Sequence, residues 1–91
     1  MSASTSQVYA IAPGFRLQWE QAQNCHVLLY PQGMVRLNPS AAAILKHCDG
    51  ERSILGIVAE LEAEFDADDL AEDVKAFVEM AVENRWLEFA S

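Results

Sequence analysis

The hydrophobic residues of this 91-residue chain change their period once, at Asn38-Pro39, and that switch constrains the fold more than any other feature. Upstream, Phe15-Arg16-Leu17-Gln18-Trp19-Glu20 alternates apolar and polar without a break, the period-2 pattern of a strand with one wet face. After the polar bend Gln21-Ala22-Gln23-Asn24 comes His26-Val27-Leu28-Leu29-Tyr30, too short for a helix and rich in strand formers, so it reads as a strand covered on both faces. Pro31-Gln32-Gly33 then supplies a fixed φ, a polar middle residue and a position able to take φ > 0. These close a hairpin onto a short third strand, Met34-Val35-Arg36-Leu37.

Downstream the period becomes helical. Asn38 can accept the first free N–H groups of a helix, and Pro39 suits its first turn, where a missing donor is harmless. That helix is predicted to run to about Cys48, with Ala41, Ile44, Leu45 and Cys48 on its apolar face and Gly50 as a left-handed cap. A second helix starts at Ser53 and presents Ile54, Ile57, Val58, Leu61 and Phe65 on one stripe. A third begins near Asp68 or Asp69, where Asp69 and Glu72 form a capping pair. Leu70, Val74, Phe77, Val78 and Ala81 share one arc of about 100°, but Met80 and Val82 fall outside it on opposite sides, so this helix has more apolar surface than one core face needs. Asn84 is placed to end it, with Trp86 and Leu87 folding back on the core. The expected architecture is α+β: a small winged-helix-like domain over residues 13–91, with a three-stranded antiparallel sheet followed by three helices, preceded by an arm over 1–12.

Charge narrows the function. The formal net charge is −8; residues 1–50 hold two acids against three bases, and residues 51–91 hold twelve against three. An acidic half of this kind repels phosphate backbones, which argues against a nucleic-acid partner. No apolar run approaches the ~20 residues that cross a bilayer, and the polar opening lacks the basic flank and apolar stretch of a signal peptide. The expectation is a cytoplasmic protein with no membrane partner. A domain this small commonly draws stability from a metal, disulfides, a partner or a second copy. The polar stretch Met1-Ser2-Ala3-Ser4-Thr5-Ser6-Gln7 is of a kind that stays disordered unless tied down, and its contact with another chain, as in a homodimer, is one expectation.

The residues that could carry chemistry do not assemble. Cys25-His26 and His47-Cys48 are adjacent pairs, whose side chains diverge on a strand or a helix and so cannot readily chelate one ion. Cys48 falls on a core face as a small hydrophobe, and a Cys25–Cys48 disulfide is not expected in a reducing compartment. No glycine elbow, nucleophile–base pair or phosphate-cradling loop is present, and Glu60, Glu62, Glu64, Asp66, Asp68 and Asp69 read as a solvated surface run. Neither a catalytic residue, a metal ligand nor a cofactor site is expected. Arg52-Ser53-Ile54-Leu55-Gly56 has the outline of an acyl carrier's prosthetic-group serine, but Arg52 and Ile54 replace that family's Asp and Leu, and the alternation before Glu20 contradicts an all-helical carrier. Ser53 is therefore read as a helix cap. What remains is interaction: the third strand can leave one side of its backbone unpaired, a template for an incoming peptide strand beside the surplus apolar surface of the last helix.

The motifs Leu28-Leu29-Tyr30-Pro31-Gln32-Gly33, Leu37-Asn38-Pro39-Ser40-Ala41-Ala42-Ala43-Ile44-Leu45 and Cys48-Asp49-Gly50 resemble the pyrroloquinoline quinone biosynthesis protein D family, PqqD. The Ile54/Val58/Leu61 helix and Asp73, Val74 and Phe77 extend the resemblance over about residues 13–88. Gln32 stands where the family usually has an acid, and Asn84-Arg85 where it usually has a glycine. The resemblance implies a peptide chaperone that binds a ribosomal precursor peptide, PqqA, by strand addition and presents it to a radical S-adenosylmethionine enzyme, PqqE. It places Met34, Val35, Arg36 and Leu37 in backbone pairing and flanking pockets, and Lys75, Val78 and Val82 on the helix wall, with Lys75 available to an acidic side chain of the peptide or of its own helix. A winged-helix nucleic-acid binder is the alternative of another class, and an acyl carrier a third.

Overall fold

A computed structural model describes residues 7–90 of the chain. The order of elements is β1 (Val8–Ile11), β2 (Arg16–Glu20), β3 (Cys25–Tyr30), β4 (Gly33–Arg36), α1 (Pro39–Lys46), β5 (Asp49–Ser53), α2 (Ile54–Glu64), α3 (Ala71–Glu83) and β6 (Leu87–Phe89). The period switch at Asn38-Pro39 separates the β2-β3-β4 strands from the first helix, but two short strands, β5 and β6, follow it. Asn38 sits in extended conformation and its Oδ1 accepts from the Ala41 N–H at 2.7 Å, with Pro39 in the first turn behind it. Ser53 Oγ accepts from the Gly56 N–H at 3.2 Å, so its role is that of a cap.

The three strands expected from period 2 form one antiparallel sheet, ordered β2-β3-β4. Arg16 pairs with Leu29 and Glu20 with Cys25 on one side of β3, and Leu28 with Val35 on the other. The central position of β3 explains its apolar run: both Val27 and Leu28 are fully buried, on opposite faces.

A second sheet was not foreseen. Its order is β5-β1-β6, all antiparallel, so the strand at its centre comes from the stretch expected to be an arm. Within residues 1–12, Val8–Ile11 pair on both sides, and Tyr9 is buried in the core with its ring stacked 5.2 Å from Phe89. The contact of the polar opening with another chain falls, for residues 1–6, outside the described residues; Gln7 Oε1 accepts from the Tyr9 hydroxyl at 3.2 Å. The register of β1 on β5 slips between Val8↔Ser53 and Ala10↔Asp49. Gly50, at φ +83°, lies in that irregularity, and a Cβ there would meet Ala90 and Ala10. Its conformational freedom therefore serves the second sheet, since α1 ends earlier, at Lys46 with His47 as its cap.

Two further helix ends depart from expectation. Asp69 does not cap α3; it adopts φ 61°, and the free Leu70 N–H is taken by Glu62 Oε2 of α2 at 3.1 Å. At the other end Arg85 rather than Asn84 takes the left-handed conformation, at φ 66°. Trp86 N–H then reaches Ala81 O at 2.8 Å and Arg85 N–H reaches Val82 O at 3.0 Å, the paired bonds of a Schellman motif. That reversal turns Trp86 and Leu87 back onto the core, where Leu87 is buried and leads into β6. One cluster joins both sheets and all three helices through Tyr9, Leu28, Leu45, Ile57, Val78 and Leu87.

Candidate functional site

Among the described residues the β4 strand lies at an edge of its sheet, bonded to β3 on one side only. Beneath that edge an open groove of about 710 Å³ runs between β4 and α3. Val35 and Leu37 form its sheet wall, because alternate residues of β4 turn their side chains towards the helices. Leu70, Val74, Phe77 and Met80 form its helix wall, a stripe at spacings of three and four. Phe65 and Trp86 also line it, and Trp86 packs beside Phe77, 6.4 Å away ring to ring. Phe65 and Met80 are among the chain's large apolar side chains left exposed, and Met34 on β4 is another. Among the described residues two charged residues border the groove, Arg36, whose guanidinium runs to the Gln23 side chain, and Asp73 on the helix wall. An apolar trough beside an unpaired strand edge is suited to an extended chain: backbone groups bond to the edge while alternate side chains are removed from water.

The structure places Val35, Arg36 and Leu37 along the groove beside α3, with Met34 exposed on the same strand. It does not bring Lys75, Val78 and Val82 to the groove. Those three lie roughly 130° round the helix from the Val74/Phe77/Met80 stripe. Val78 is wholly buried, Val82 packs against the core cluster, and α3 also contacts β6. Lys75 is half-buried and makes no ion pair among the described residues, where the pair present is Arg52–Asp49 at 2.8 Å. Both Met80 and Val82 stood outside the core arc, and only Met80 is on the groove side. Phe65 and Trp86 read as core residues in the sequence; their place in the groove lining follows from the breaks after α2 and α3, which no local periodicity encodes.

A smaller hollow of about 460 Å³ lies on the other flank of α1, lined by Trp19, Cys25, His26, Lys46 and Phe65 among others. The His26 ring meets Trp19 edge-on at 5.1 Å. Cys25 and Cys48 are both free thiols. Burial, aided by the neighbouring Asp49 charge, pushes the Cys48 thiol up to about 12, and its Sγ donates to Ile44 O at 3.3 Å, so it is a packed, un-ionised group. Among the described residues no three His, Cys, Asp or Glu side chains are placed to hold a metal ion, and no helix is long and apolar enough to cross a membrane.

The same architecture is found in solved proteins. The solution structure of the PqqD truncation of Methylobacterium extorquens PqqCD, described as a functional and stand-alone recognition element for ribosomally synthesised, post-translationally modified peptides, superposes with a TM-score of 0.79. It is 32% identical and the match covers 93% of each chain. The crystal structure of PqqD from Xanthomonas campestris gives 0.58, also at 32% identity, over 96% of this chain and 99% of that one. Curated relatives described as PqqA binding protein include those of Stutzerimonas stutzeri, 55% identical over 91% of each chain, and Azotobacter vinelandii, 56% identical over 97% of this chain and 98% of that one. Residues 25–87, from the first residue of β3 to the first of β6, match the model of the family described as coenzyme PQQ synthesis protein D, and with relatives this near, the chain belongs to the PqqD family.

Proposed function

We propose that the chain is a non-catalytic peptide-recognition protein of pyrroloquinoline quinone biosynthesis. It takes an extended stretch of a PqqA-type precursor peptide as an additional strand along β4 and over α3, and presents it to a PqqE-like radical S-adenosylmethionine enzyme in the cytoplasm. The observation that carries this reading is the apolar groove beneath the unpaired β4 edge. Burying one Leu- or Phe-sized side chain there contributes about 1.5–3 kcal/mol, and the edge adds backbone hydrogen bonds at about 1 kcal/mol each. The curated relatives' description as PqqA binding proteins and the solved neighbour's as a recognition element support the same partner chemistry.

Titration of isotope-labelled protein with a PqqA-type peptide tests the reading. Resonances of Val35, Arg36, Leu37, Phe77 and Met80 should shift and saturate together; saturating peptide that leaves all five unmoved refutes the site. Repeating the titration with the radical enzyme added tests presentation. A ternary complex that retains the groove shifts is the expected result, and release of the peptide on enzyme binding would count against it.

A further inference from the structure

The β3–β4 ladder determines which residues of the edge can hold a peptide strand. Leu37 N–H donates to His26 O at 3.0 Å, and the registered pairs run Val27↔Arg36, Leu28↔Val35, Leu29↔Met34 and Tyr30↔Gly33. In an antiparallel ladder hydrogen-bonded and non-bonded pairs alternate, so Leu37, Val35 and Gly33 turn their backbone groups inward to β3. Met34 and Arg36 turn theirs outward. Side chains alternate in the complementary way. Val35 and Leu37 reach the groove and the core, whereas Met34 is exposed and Arg36 lies on the outer face, its Nη1 donating to Gln23 Oε1 of the β2–β3 turn at 3.0 Å. The Arg36 guanidinium is thus drawn along the sheet, away from the backbone edge.

We infer that Met34 and Arg36 contribute the backbone groups that pair with the bound peptide, while Val35 and Leu37 contribute only side chains, so that the protein selects a peptide apolar at every second residue. The inference rests on the groove being a peptide site and adds to it a register. A strand laid against the Met34 and Arg36 amides shares the pleat of β4. Residues of the peptide that point with Val35 enter the trough against Val74, Phe77 and Met80, and those that point with Arg36 stay in water.

Amide exchange on the full chain, free and with a PqqA-type peptide, reads this directly. In the free protein Val35 and Leu37 amides should be protected and those of Met34 and Arg36 should not; peptide should slow the latter two at least tenfold. If Phe77 and Met80 resonances shift on titration but the Met34 and Arg36 amides keep their free rates, the register is overturned and the groove stands. If no groove resonance shifts, both readings fall. A lysine walked through the peptide gives a second measurement. Affinity should fall tenfold or more at alternate positions and little between them, and a uniform or helical pattern of loss would overturn the rule. Met34→Pro, which removes an outward N–H and spares the β3 ladder, should bind several-fold more weakly than Met34→Ala; equal affinities would remove Met34 from the pairing set.

Discussion

Asp49 shows how a single side chain ties the chain's acidic half to its fold. Its carboxylate accepts from the Glu51 N–H at 3.0 Å and the Arg52 N–H at 3.3 Å, and it pairs with the Arg52 guanidinium at 2.8 Å. The Glu51 bond is the largest cause that holds this carboxyl below the usual range; desolvation opposes it, and the bond and charge of Arg52, each a lesser effect, act with Glu51. A carboxyl with a folded pKa below its unfolded value of about 3.9 stabilises the fold above that pH, and the contribution is lost as pH falls through the folded value. Asp49→Asn should therefore melt below the parent at neutral pH, and the gap should narrow on acidification. Melting curves from pH 7 to pH 2 check this, and a constant gap would show that charge is not the cause. Arg85 presents the opposite case, a residue ill-suited to its place. A non-glycine side chain at φ 66° costs about 1 kcal/mol, and the Schellman bonds to Val82 and Ala81 hold it there. Arg85→Gly should raise stability by about 0.5–1 kcal/mol in denaturant unfolding, since relief of strain exceeds the added freedom of the unfolded chain; a lower midpoint would mean that the arginine side chain has a stabilising contact.

Among the elements, those with local signals were legible and those made by distant pairing were not. The hairpin of β3 and β4 and the starts of α1 and α2 depend on turn and capping residues within four positions of one another. The second sheet has no such signal. Its strands are four, five and three residues long, they join the two ends of the described chain, and β5 reads Asp-Gly-Glu-Arg-Ser without any apolar alternation. Tyr9 is the test of its weight. The residue is 1% exposed, among the largest fully buried side chains, and Tyr9→Ala should cost about 3 kcal/mol or more, as aromatic truncations in a core do. Loss of only a few tenths in chemical denaturation would show β1 to be a dispensable arm. The third helix was half legible: its core arc could be read from spacing, but whether Met80 or Val82 flanked a binding surface depended on which side β4 approached. Phe77→Ala should therefore weaken PqqA-type peptide binding about tenfold or more, while Val82→Ala should lower stability and leave affinity within about twofold. Titrations of both variants, each corrected for its folded fraction, separate the two faces.

Charge acts over the entire surface. The negative charge is concentrated in residues 51–91, with twelve acids against three bases, which include α2, α3 and the turn between them, whereas the β2-β3-β4 sheet is near neutral. A field of this sign opposes a phosphodiester backbone at every approach to α3, and it attracts cationic groups on a peptide before any contact forms. The groove itself is apolar apart from Arg36 and Asp73, so the bound state is held by desolvation rather than by the field. The two contributions separate in kinetics. Screening shortens the reach of surface charge to about 8 Å at physiological ionic strength, and it scarcely touches buried apolar contact. One lysine added to a PqqA-type peptide beyond the groove-bound segment should speed association at low salt and one glutamate should slow it. The two rates should converge as salt rises, and dissociation should change little throughout. Stopped-flow measurements across a salt series decide it: a dissociation rate that climbs steeply with salt would mean that ion pairs, rather than the apolar trough of Val35, Phe77 and Met80, retain the peptide.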